Sequence, residues 1–93
     1  MNHVTQAYSY RHVSASGNIR AGDGVLGGIF VSAATGTPTI AIYDDAADGV
    51  GTLLVDEFTP TPGQWIPLPF AFVNGLNIVI GGTVSATVGF TAG

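Results

Sequence analysis

The sequence has no cysteine and no lysine, and its only strongly basic side chains are Arg11 and Arg20. Without cysteine there is no disulfide framework and no thiolate metal site. The shortage of cations removes the several Lys and Arg that a phosphate backbone requires, so nucleic acid is excluded as a partner. It also removes the basic face that an anionic membrane surface attracts. Charged residues make up 9% of the chain, against about a quarter in an ordinary soluble domain. No apolar run reaches the roughly 18 residues of a membrane helix. The first residues, MNHVTQAYSYRHV, lack the charged start and long apolar centre of a signal peptide. Glutamate, lysine and methionine, all good helix formers, are almost missing, and glycine, proline or a Thr/Ser/Asn cluster interrupts every stretch before three helical turns are complete.

What remains is apolar and rich in glycine: 46% hydrophobic residues, fourteen glycines and a net charge of −4 over 93 residues. This length suits a single domain spanning residues 1–93, with one modest core. A surface so poor in charge is weakly defended against association. It suits a chain that works inside an assembly.

The apolar residues recur with a period of two. In TVSATVGFT, Val84, Ala86, Val88 and Phe90 alternate with small and polar residues, which marks a half-buried strand. In WIPLPFAF, Ile66, Leu68, Phe70 and Phe72 share one face, while Pro67 and Pro69 fall on the other. Proline donates nothing to a ladder, so this is an edge strand or an extended arm. Further strands are expected at Thr5–Val13, Val25–Ala33, Thr39–Asp44, Thr52–Phe58 and Leu76–Gly81, with a short one at Asn18–Ala21. The dipeptide NG in FVNGLNI is a hairpin signal. The expected fold is all-β: an antiparallel β-sandwich, jelly-roll-like, of seven or eight short strands. Ile29, Val31, Ile40, Ile42, Ile78, Ile80, Val84, Val88 and Phe90 are its expected core. Residues 1–13 form either an N-terminal arm or the first strand.

The segment TIAIYDDAADGVGTLL holds the one acidic cluster. Aligned on an EF-hand loop from Asp44, positions one, five and six fit as Asp44, Asp48 and Gly49. Position three is Ala46 and position twelve is Val55, so two main ligands are missing. Asp44, Asp45 and Asp48 are therefore expected in an exposed connector without metal. His3 and His12 have no nucleophile-elbow serine beside them and read as surface polar residues. Asp56 and Glu57 are strand neighbours pointing to opposite faces, unable to flank one glycosidic bond. The glycine-rich GDGVLGG leads into no helix and makes no phosphate cradle. No catalytic residue, cofactor or metal site is expected. The aromatic residues are the remaining signal. Tyr8 and Tyr10 share a strand face, and Trp65 opens a strand after TPTPGQ. With Arg11 they form a candidate interface, since these residue types are enriched where proteins meet.

From Gly22 onward, GDGVLGGIFVSAATGTPTIAIYDDAADGVGTLL and then WIPLPFAFVNGLNIVIGGTVSATVGF resemble small virion proteins of tailed bacteriophages. The pattern is an apolar strand after a glycine turn, a G-T-x-x-I-x-I-Y-D strand, an Ala/Gly loop, an L-P-F-x-F-x-x-G-L-x-I-V stretch and a closing strand. Members of that group are similar to capsid decoration, or cement, proteins. The resemblance implies a small β-sandwich, often trimeric, on the outer capsid surface of the virion, clamping neighbouring subunits of the major capsid protein. It implies no catalytic residue. Related sandwiches occur in tail and fibre components, so the alternative is a receptor- or glycan-binding module that uses exposed Tyr and Trp. In the decoration reading, Met1–Val13 is among the contact elements.

Overall fold

In a computed structural model that describes residues 8–46 and 51–92, six strands carry almost all of the chain. They are β1 (Ser9–Val13), β2 (Gly17–Ala21), β3 (Gly24–Asp44), β4 (Thr52–Phe58), β5 (Gln64–Phe72) and β6 (Gly75–Ala92). The described residues include no helix. All strands belong to one antiparallel sheet with the order β1-β6-β3-β4, β2 also pairing with β6 and β5 with β3.

The expected seven or eight short strands are thus six, because β3 runs for 21 residues and β6 for 18. Ordinary strands have about 3–10. Each long strand joins two expected ones across a bend. In β3 the bend lies at Gly36–Thr37, both with positive φ, and in β6 at Gly82, also with positive φ. The pairing shifts there, from Thr35 opposite Thr83 to Thr39 opposite Gly81. A Cβ on Gly82 would lie 2.6 Å from the Gly36 carbonyl oxygen, so both the conformation and the close approach require glycine.

The bend divides the sheet into two halves. In the first, β1 pairs with residues 86–90 of β6, and residues 24–31 of β3 pair with β5. In the second, β2 pairs with residues 75–78 of β6, and residues 40–44 of β3 pair with β4. A single buried cluster draws on both: Leu26, Ile29, Val31, Val84, Ala86, Val88 and Phe72 from the first half, and Ile19, Ile40, Ile42, Leu76 and Ile78 from the second. One shared core means that the halves face each other, as in a sandwich. The 17 Å thin axis of the molecule suits two layers about 10 Å apart.

Seven of the nine expected core residues are buried. Ile80 and Phe90 are only partly so, although both pack against the cluster. The phase of burial also changes along β3. Leu26 is buried, then Ile29 and Val31, then Ile40 and Ile42. Register shifts against β6 between Leu26 and Gly28 and between Val31 and Ala33 insert single extra residues, Gly27 and Ser32. Each such bulge moves the inward side chains by one position.

β5 pairs with β3 alone, so the segment with Pro67 and Pro69 is an edge strand. The NG dipeptide, by contrast, makes no hairpin, because β5 and β6 do not pair with each other. Neither Asn74 nor Gly75 has the positive φ that a type I′ turn requires. Residues 73–74 instead carry the chain from the first half to the second. Ser9–Val13 is a paired first strand of the sheet, not a free arm; residues 1–7 lie outside the described residues.

Candidate functional site

Along β1, Tyr10 lies opposite Gly89 and Arg11 opposite the buried Val88. Alternation therefore puts Tyr8 and Tyr10 on the outer face of the first half and turns Arg11 toward the inner side, at the exposed edge. Trp65 lies opposite Phe30 at the start of β5, and both point outward, since their neighbours Ile29 and Ile66 point to the core. Three of the four candidate interface residues, Tyr8, Tyr10 and Trp65, thus share one face. Arg11 borders it without belonging to it.

The floor of this face is backbone. A Cβ at Gly27 would lie 2.6 Å from the Tyr8 ring, and one at Gly28 2.7 Å from the Trp65 ring. The bulge at Gly27 places both glycines on the outer side, and the two rings lie flat in the space where side chains would stand. Their centroids are 6.5 Å apart with a 31° tilt, a separation at which aromatic rings attract. Even so, Trp65 is 46% exposed and Tyr10 75%. Phe30 and Val25 add exposed apolar area on the same face. His12 lies at its margin, with Nε2 2.9 Å from the Ser85 hydroxyl. Sequence reasoning missed Phe30, Val25 and the glycine floor. The spacing of Leu26 to Ile29, three residues where two were due, was the available sign of the bulge.

The acidic segment is not a uniform exposed connector. Asp44 ends β3 and is 9% exposed. Its Oδ1 accepts the backbone N–H groups of Asn74 at 2.7 Å, Val73 at 3.1 Å and Gly75 at 3.2 Å, and its Oδ2 accepts Val73 at 3.0 Å. Burial pushes the carboxyl pKa up and the charge of Asp45 adds to that, but the three N–H donors outweigh both and hold it below the ordinary 3.8. Asp44 is the clamp of the turn between β5 and β6. The Gly22 N–H donates to the Asn74 carbonyl at 3.0 Å and ties in the turn between β2 and β3. Asp45 accepts the Gly51 N–H at 3.0 Å, which closes the loop between β3 and β4. Asp48 and His3 lie outside the described residues. Among the described residues no three His, Cys, Asp or Glu side chains gather as metal ligands would, and no pocket forms.

Comparison with known proteins finds no matching family model, no matching curated protein and no matching solved structure.

Proposed function

We propose that this chain is a structural protein of a tailed-bacteriophage virion, a decoration protein that docks on the outer capsid surface and stabilises the shell of major capsid protein. The observation that carries the reading is the outer face of the first half, where Tyr8, Tyr10, Phe30 and Trp65 lie exposed over a glycine floor. The sheet beneath holds it flat. Rigid aromatic side chains on a stiff support lose little conformational entropy when covered, and Tyr and Trp are enriched among residues that dominate binding energy. The order of the half-strands supports the same reading. It is β1-β6-β3-β5 in one half and β2-β6-β3-β4 in the other, which we take as a jelly roll, an architecture of viral capsid domains. A chain that binds only the assembled shell stabilises it by mass action. The homotrimer rests on the phage resemblance alone.

One feature favours a second reading. Trp65 and Tyr8, side by side on a flat face, also suit the apolar face of a sugar ring, as expected of a glycan-binding module. Heads lacking the chain, mixed with purified protein, separate the two. Decoration predicts sedimentation of the wild type with heads and loss of that binding in Trp65→Ala and Tyr10→Ala. Quenching of Trp65 fluorescence by an oligosaccharide, with no binding to heads, overturns it in favour of the glycan reading.

A further inference from the structure

A sheet that ends in free strands must guard them, because unpaired N–H and C=O groups recruit other chains. Three of the four edge segments here are guarded. β5 carries Pro67 and Pro69. β4 has extra residues at Leu54 and at Asp56–Glu57, where its pairing with β3 slips twice, and two carboxylates besides. β2 is bulged at Ile19 between its pairs Asn18–Asn77 and Arg20–Leu76. β1 has no proline and no bulge, and its one charged side chain is Arg11. Ser9 to Val13 pair with Phe90 to Ala86 in five consecutive steps without a shift, no proline interrupts them, and all but Val13 are exposed.

At the centre of this open edge stands Arg11. Among the described residues it has no ion pair and no side-chain hydrogen bond, in a chain whose net charge is −4. The carboxylates whose partners are known are turned elsewhere: Asp44 to the turn before β6, Asp45 to Gly51 and Asp56 to the Glu57 N–H. We infer that the free edge of β1 accepts an extended segment of a partner protein by strand addition, with a carboxylate of that segment opposite Arg11. Backbone bonds to β1 supply affinity, the ion pair sets the register, and the added strand covers Tyr10 at the rim of the aromatic face. A second copy of β1 fits less well, since pairing the two strands about their centres brings Arg11 against Arg11, and like charges directly opposite are destabilising. This inference does not depend on the phage reading.

The test uses short synthetic peptides of alternating threonine and valine with one central aspartate, added to the intact protein and followed by amide hydrogen exchange and NMR shifts. The expected result is slowed exchange at alternate amides of Ser9–Val13. Replacing the central aspartate by lysine should weaken binding roughly three- to tenfold, as expected when an attractive cross-strand pair becomes repulsive. The variant Arg11→Glu, at an exposed position, should reverse the preference and melt as the wild type does. A peptide N-methylated at alternate amides should not bind. Three results overturn the inference: protection that falls on Thr52–Phe58 or Gln64–Phe72, equal binding of the N-methylated peptide, or β1 protection that grows with protein concentration when no peptide is present. The last would make a second copy the occupant.

Discussion

The two halves of the sheet are built from the same long strands and share one core, yet their outer faces differ. The first half presents Tyr8, Tyr10, Phe30 and Trp65 over Gly27, Gly28 and Gly89. The second presents Asn18, Asn77, Tyr43 and Leu53 in one row, set by consecutive cross-strand pairs. Asn77 is 2% exposed and Tyr43 half-buried, and of that row only Leu53, at 45%, is a large apolar side chain open to solvent. The bulge at Gly27 produces the contrast. It removes two side chains from the first face and lets large rings lie against the backbone. A sandwich-like body of this kind needs only its inner residues, and its outer faces are free to differ. The proposed docking surface is accordingly the outer face of the first half.

The largest effect should come from the shared core. Ile42→Ala should destabilise the protein by roughly 2–5 kcal/mol in chemical denaturation, since Ile42 is fully buried where the halves meet. Ile80→Ala should cost clearly less, because that side chain is only partly buried. Equal costs would mean that the second half does not close over the core as described.

Next comes the clamp that joins the halves. Asp44→Ala leaves part-buried and buried N–H groups of Val73, Asn74 and Gly75 without their acceptor, and should cost roughly 1.5–3 kcal/mol. The folded-state pKa of Asp44 lies below its ordinary value. Its contribution is therefore complete above the ordinary carboxylate range and is lost as pH falls through the lower, folded value. Denaturation curves measured from neutral pH downward should show the wild type losing this advantage over Asp44→Asn in acid. A gap between the two that stays constant down to pH 2 would rule out the clamp.

Smaller again is the glycine floor. Gly27→Ala forces the Tyr8 ring off the sheet, and Gly28→Ala must displace the Trp65 ring together with the Ile66 carbonyl oxygen of β5, which an added Cβ would meet at 2.5 Å, each at a cost of about 1–3 kcal/mol. Trp65 is the only tryptophan, so its emission should shift to longer wavelength as the ring becomes more exposed. An unchanged spectrum in Gly28→Ala would place the ring elsewhere.

Much of this fold was legible in the sequence. Alternation, with glycine and proline punctuation, marked eight strand segments; the expected Thr5–Val13 is met by β1 from Ser9 onward, and Thr52–Phe58 matches β4 residue for residue. Alternation is a local property, and so it missed what depends on distant pairing. Continuity through Gly36 and Gly82 merged four expected strands into two. NG marks a turn, but whether the flanking strands pair is set by β3, which lies between them in the sheet. Asp44 looked like its neighbours Asp45 and Asp48 because nothing local shows that residues 73–75 come to meet it. Of the candidate interface, Tyr8, Tyr10 and Trp65 were visible as residue types. Their convergence required the pairing of β1 and β5 with opposite sides of the β6–β3 pair.

The smallest effect on stability belongs to the exposed rings themselves. Tyr10→Ala should change stability by no more than about 0.5 kcal/mol, as at other exposed positions. If the first outer face is the docking surface, the same substitution should weaken docking by about 2 kcal/mol or more, whereas Leu53→Ala on the second face should weaken neither. If the chain is a virion protein as proposed, the most direct test of that claim is a reconstruction of the particle. The account predicts density for the protein on the outer capsid surface, with Tyr10, Phe30 and Trp65 turned toward the shell. Density at a tail or fibre tip, with those rings facing solvent, would contradict it.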